Sequence, residues 1–237
     1  MERVRERMAR ACIAAGRSPA EVRLLAVTKS VEPAHAAELI ALGQVDLGEN
    51  RVDELERKVE ALGADASRAR WHVIGHLQRN KARRAARHAW SVQSVDSVRL
   101  LDALSRLAGE LGRELRVYLE VRAVEAGERS GFAAGELGPA AEHAASLPHL
   151  RLVGLMAMAA PDERARPGDL ASQSGARATF AAVRELAQRL PRGAFDGGRV
   201  ELSMGMSSDL EAAIAEGAHV VRVGSALFED PPRERAA

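Results

Sequence analysis

Short apolar runs alternate with longer amphipathic stretches along almost the whole chain. The runs lie at residues 23–27, 45–47, 72–74, 92–95, 115–121, 150–158, 200–204 and 220–223. Each is bounded by polar or turn-forming residues, and together they predict eight strands. Between them, residues 33–42, 52–62, 80–88, 97–111, 135–146, 176–190 and 207–216 repeat apolar positions at helical spacing. Residues 2–15 predict one more helix, ahead of the first strand. Several boundaries carry their own signals. Pro33 suits a first helical turn, where its missing N–H is no loss. Gly43 and Gly217 follow periodic stretches and can take the left-handed conformation that closes a helix. Ser207, Ser208 and Asp209 offer capping oxygens just before an apolar run.

Strand–helix alternation over the full length predicts parallel strands in an α/β protein. Eight such units in 237 residues point to a single (β/α)8 TIM-type barrel with an extra N-terminal helix. An open doubly wound sheet is the competing topology. No Pro/Gly/Ser-rich linker divides the chain, so residues 1–230 are expected to form one domain and residues 231–237 a frayed tail. The segment 160–175 is the one connection of unusual length; as it follows a strand, it would lie on the face where barrels bind ligands.

The balance of 34 basic against 33 acidic residues gives a net charge of +1 and does not suggest a nucleic-acid-binding surface. Cys12 is the only cysteine, which excludes an internal disulfide and fits a reducing compartment. No apolar run approaches the roughly 18 residues of a membrane span. The opening MERVRERMAR lacks the apolar stretch of a secretory signal. A cytoplasmic protein is therefore expected, and a monomer is the expected state. Only Lys29, Lys58 and Lys81 among the basic residues are lysine. Where arginine is so dominant, a retained lysine marks a place where the chemistry can require an amine.

Lys29 follows the first strand, at the end of the barrel where binding groups gather. Desolvation there would favour the neutral amine, a nucleophile toward aldehydes. Lys58 lies in the charged stretch DELERKVE and is expected on a solvated helix face. Lys81 opens a helix and is expected in a salt bridge, although it could also reach an anion at the barrel mouth. The last strand ends Arg222-Val223-Gly224-Ser225, and the one before it ends Ser203-Met204-Gly205-Met206-Ser207. Two small, polar, Gly-containing turns after strands seven and eight suggest a phosphate site. Arg222 points to the same mouth, where it could face a pyridine nitrogen or form a rim ion pair. Asn50 is read as a cap for the following helix that could also bond a ligand oxygen. His72 and His76 flank a strand at a spacing that suits a metal only on a helix, so no zinc site is expected. Trp71 and Trp90 are expected to pack.

The segments LLAVTK, DLGENRVDE, WHVIGHLQRNKAR, ERSG, LVGLMAM and LSMGMSSDLEAAIAEGAHVVRVGSALF occur in this order over about residues 10–229. They resemble the pyridoxal phosphate homeostasis protein family. The resemblance implies a barrel similar to the N-terminal domain of alanine racemase, binding pyridoxal 5′-phosphate (PLP) as an internal aldimine. Lys29 would be the aldimine lysine, and Ser203, Gly224 and Ser225 the phosphate-holding positions. Arg222 would face the pyridine nitrogen, and Asn50 would lie near the cofactor. Two positions depart from the pattern: Arg122 stands where many members have asparagine, and Arg129 where many have a lysine before Ser-Gly.

A PLP carrier without a reaction of its own, serving PLP-dependent apo-enzymes, is the reading this implies. The alternative is a racemase-like PLP enzyme, which needs an acid or base on each face of its substrate. The only tyrosine, Tyr118, falls inside a predicted strand, and no second base is assignable. A barrel enzyme acting on a phosphorylated metabolite without PLP would leave Lys29 unused.

Overall fold

The computed structural model describes residues 1–122, 130–159 and 170–228. Eight parallel strands close into a barrel in sequence order, β1 pairing with both β2 and β8. The strands are β1 Arg23–Val27, β2 Asp46–Glu49, β3 Arg70–Val73, β4 Ser91–Val95, β5 Leu115–Glu120, β6 Leu150–Met156, β7 Glu201–Ser203 and β8 Val220–Val223. The closed sheet settles the choice against an open one. Around it run α2 Pro33–Ala41, α3 Val52–Leu62, α4 Ala82–His88, α5 Val98–Glu110, α6 Leu137–Ser146, α7 Leu170–Arg189 and α8 Leu210–Ala215. The additional N-terminal helix, α1 Glu2–Ala14, packs on α8, where Arg7 bonds both carboxylate oxygens of Glu211. A short α9, Ser225–Phe228, follows β8 and has no counterpart in the apolar pattern.

The expected boundary signals are present. Pro33 opens α2, and Gly43 and Gly217 have φ of 79° and 93°. The helix after β6 begins at Leu170, earlier than the expected 176, so part of the anticipated long connection is helical. Residues 160–169, Arg129 and the 231–237 tail lie outside the described residues.

Two faces of each strand meet two different environments. In β5, Leu115, Val117 and Leu119 belong to the large apolar layer between sheet and helices, and Val121 just beyond the strand joins them. The alternate residues Arg116, Tyr118 and Glu120 turn to the barrel axis, as period-two geometry requires. A separate apolar plug of Leu25, Val27 and Val220, with Ile74 against it, fills one side of the lumen. The other side is polar and bridged across the axis. Ser203 of β7 donates to Gln93 of β4 at 2.7 Å, and Tyr118 donates to Glu201 of β7 at 2.9 Å. Burial drives the Tyr118 hydroxyl well above its ordinary pKa, and its proton stays on the Glu201 hydrogen bond.

His219, just before β8, accepts the Leu202 amide at Nδ1 over 2.9 Å. Burial, with Arg199 and Arg17 nearby, lowers its pKa to about 4 from 6.5. The unfolded chain therefore binds the proton first, and stability is lost as pH falls from 6.5 toward 4. Urea midpoints measured at pH 7 and pH 5 are expected to fall, and to fall less in His219→Asn, whose amide oxygen can still accept the Leu202 N–H.

Candidate functional site

The mouth of the barrel is built from the segments that follow the strand ends. Lys29 comes two residues after β1, and its side chain is exposed. The apolar enclosure expected around its amine is therefore not present in this state. What is fixed is the backbone beneath it. Thr28 is fully buried, and its carbonyl accepts from Lys58 Nζ at 2.5 Å. The same amine meets Glu49 Oε1 at 2.5 Å, and Thr28 Oγ1 donates to that oxygen at 2.6 Å. Lys58 is thus completely buried, contrary to the solvated face expected from its charged neighbours. The reason is geometric. Lys58 shares the inward stripe of α3 with Val52 and Leu55, and its stem reaches a carboxylate at the end of β2. Glu49 Oε2 has no partner in this buried network.

Asn50 follows β2 directly but does not cap α3; the N-cap position is Arg51, with no side-chain cap bond. Its backbone runs so close to Gly75 that a Cβ on Gly75 would sit 2.4 Å from the Asn50 carbonyl oxygen. This close approach fixes the Asn50 backbone at the rim, and the residue itself is half-buried. On the far side of β1, Gly224 and Ser225 follow β8. Four consecutive strand ends around the closed barrel, those of β7, β8, β1 and β2, thus carry the six cofactor candidates Lys29, Asn50, Ser203, Arg222, Gly224 and Ser225.

Arg222 is buried, with NH1 donating to the Ser203 carbonyl at 2.6 Å and to Ser203 Oγ at 2.9 Å. NH2 donates to the Ala157 carbonyl at 2.8 Å. These contacts use three of five guanidinium donors. Burial lowers its pKa to about 10, a shift opposed by Asp209 and Glu120, so it is charged at neutral pH. Ser203 is fully buried, its hydroxyl donating to Gln93 and accepting from Arg222. It sits beneath the arginine rather than open to the mouth.

The turn after β7 has one obligatory glycine: Gly205 has φ of 93°, and a Cβ there would lie 2.4 Å from Ala213 Cβ. Asp209 occupies the N-cap of α8, as the sequence suggested, but its carboxylate takes the Met206 amide at 2.5 Å instead of a helix amide. Burial raises the Asp209 pKa against that hydrogen bond and the pull of Arg222.

Glu120, which the sequence reading passed over, is a further acid of the mouth. It is 5% exposed, accepts from Ser130 at 3.0 Å through Oε1, and leaves Oε2 buried without a partner among the described residues. Burial raises its pKa, as does Asp96. Its signal was the period-two pattern of β5, which places it on the axis face with Arg116 and Tyr118. His76 pairs with Asp96 at 3.2 Å, while His72 lies deeper, between Asp46 at 2.9 Å and Ser91 at 2.8 Å. Burial holds His72 neutral, and Asp46 accepts from its Nε2–H. Lys81 forms the expected salt bridge, to Asp53 at 2.6 Å. Arg122 donates to the Gly131 carbonyl at 2.9 Å. Trp71 is buried as expected, but Trp90 is only half-buried and carries the Arg116 guanidinium 4.1 Å from its ring centre.

Comparison with known proteins gives one consistent answer. The alanine racemase N-terminal domain model matches residues 3–232. The pyridoxal phosphate homeostasis protein of Pseudomonas aeruginosa is 41% identical, covering 95% of this chain and 92% of that one. Its namesake in Escherichia coli is 35% identical, covering 96% and 94%. The solved structure of PipY from Synechococcus elongatus with PLP bound superposes with a TM-score of 0.76 at 36% identity, covering 94% of this chain and 100% of that one. Alanine racemase of Clostridium difficile shares the fold at 15% identity and a TM-score of 0.68, the match covering 96% of this chain and 56% of the racemase. With its closed eight-stranded barrel, its rim lysine and its near full-length match to these relatives, the chain belongs to the alanine racemase N-terminal domain family and, within it, to the pyridoxal phosphate homeostasis proteins.

Proposed function

We propose that this protein binds PLP at the barrel mouth and serves intracellular PLP homeostasis as a carrier or buffer, without a robust reaction of its own. The observation that carries the reading is the clustering of Lys29, Asn50, Arg222, Gly224 and Ser225 on adjacent strand ends. The donor set fits the cofactor: one exposed amine for an aldehyde, small residues and first-turn amides of α9 for a phosphate, and a buried guanidinium with donors to spare. PLP, when bound, supplies an aldehyde for covalent attachment and an electron-accepting ring.

Lys29 is the attaching amine, and the Lys58–Glu49–Thr28 network holds the backbone that presents it. Gly224 and Ser225, with the turn around Gly205, form the phosphate cradle. Ser203 contributes from below by orienting Arg222. Arg222 would face the ring nitrogen of bound PLP and oppose its protonation, since a cation disfavours a second positive charge beside it. That weakens the ring as an electron sink. Tyr118 is buried against Glu201 and is not placed to serve as a second base at the mouth. Among the described residues no helix is long and apolar enough to cross a membrane. A cytoplasmic monomer of one domain that passes PLP to apo-enzymes completes the reading.

The test is a titration followed by a turnover assay. The protein is expected to develop a visible absorbance band with PLP and to bind pyridoxal at least tenfold more weakly, the equivalent of about 1.4 kcal/mol. The loaded protein is expected to turn over none of the common amino acids at about 1 s⁻¹, the lower end of ordinary enzyme rates. Faster racemisation or transamination of any of them would favour the racemase-like alternative.

A further inference from the structure

A second cavity, of about 400 Å³, opens at the opposite end of the barrel from the mouth. It is formed where strands begin rather than where they end: Arg23 opens β1, Arg70 opens β3 and Glu201 opens β7. Its volume is within the range of small-molecule sites. Its inner wall is rigid and satisfied. His72, Ser91 and Tyr118 are all at least nine-tenths buried, and each already has hydrogen-bond partners within the lumen.

The charges are not balanced. Four arginines line the cavity, Arg23, Arg70, Arg116 and Arg199, against two carboxylates, Asp196 and Glu201. Arg23 pairs with Glu201, and Arg70 pairs with Asp46 behind the wall. Asp196 turns to Arg151 outside the cavity. Arg116 and Arg199 have no carboxylate within salt-bridge distance among the described residues. Arg116 is instead laid over the Trp90 ring, which orients its planar fork without neutralising it. Arg70 Nε is a buried donor with no partner among the described residues. A buried donor of this kind is costly unless something accepts from it.

We infer that this cavity is a binding site for a small dianion, a phosphate monoester or a dicarboxylate, gripped by Arg116 and Arg199 beside Trp90. Two negative charges match the excess of two arginines over carboxylates in the lining. Arginine forks bind both head groups in bidentate geometry. The site is independent of the mouth, so it does not rest on the PLP reading.

Trp90 provides a local readout. In Trp71→Phe protein it is the only tryptophan left. Inorganic phosphate and succinate are titrated separately while its emission is followed, with sodium chloride at matched ionic strength as the control. The titrations are run with and without PLP, so that phosphate entering the mouth is recognised. A saturable change with either dianion, unaltered by PLP, is expected. A response to phosphate alone assigns a phosphate monoester, a response to succinate alone a dicarboxylate, and a response to both a dianion of either kind. Arg199→Ala, an exposed position that leaves the fold intact, should weaken binding at least tenfold, and Arg116→Ala more. No saturable response to either dianion, an equal response to chloride, or unchanged affinity in Arg199→Ala would overturn the assignment.

Discussion

Lys58→Met is expected to lower stability by about 3–5 kcal/mol, the cost of leaving one member of a buried ion pair uncompensated. Glu49 would lose its one salt-bridge partner among the described residues while remaining fully buried, and the Thr28 carbonyl would lose one of its two donors, keeping the Val31 amide. Methionine fills much of the lysine stem's volume, so the loss reflects the charge and not a cavity. The double variant Lys58→Met with Glu49→Gln removes both charges and should recover a large part of the loss. Urea denaturation of the three proteins measures this. A single variant as stable as the wild type would contradict the stabilising role of the Lys58–Glu49 pair. Because Thr28 immediately precedes Lys29, the same variant should also bind PLP more weakly than its residual stability explains.

Arg222→Leu is the second change with a large expected effect, about 3 kcal/mol or more at pH 7. Two backbone carbonyls and the Ser203 hydroxyl lose a donor, and Asp209 and Glu120 lose the cation that lowers both their pKa values. Burial already pushes both carboxyls up. Without Arg222 they rise further, so the folded variant binds protons that the unfolded chain does not. Its deficit relative to wild type should therefore shrink between pH 7 and pH 5, as protonation of the two acids offsets the missing cation. A deficit equal at both pH values would show that the acids do not depend on Arg222. Arg222→Glu should be worse than leucine at pH 7, since it places a third carboxylate among two buried ones.

The barrel was legible because its outer face is a pure signal: apolar strand residues meeting apolar helix stripes, repeated eight times. At the rim, the strand-end positions of Lys29, Gly224-Ser225 and Arg222 were legible, because each directly ends or follows an apolar run. The lumen was harder to read. Its polar residues belong to short strands whose axis-facing positions look, in one dimension, like interruptions of an apolar run. Gln93 and Ser203 meet across the barrel although 110 residues separate them. Lys58 misled for a related reason. Its neighbours on α3 are charged, and only the stripe it shares with Val52 and Leu55 places it inside. Asn50 failed as a cap because the chain turns one residue later than expected, leaving Arg51 at the N-cap. The cost of the buried Glu49 and Glu120 oxygens is a tertiary fact with no local trace.

The central claim is covalent attachment of PLP to Lys29, and borohydride reduction of the PLP-loaded protein tests it most directly. Reduction fixes the cofactor to whichever amine holds it, and peptide mapping then finds the pyridoxyl group. The label is expected on the peptide containing Lys29, in about one equivalent per chain, with Lys58 shielded by its complete burial and Lys81 held by Asp53. A label confined to Lys58 or Lys81, or no label in protein that has taken up PLP, would contradict it.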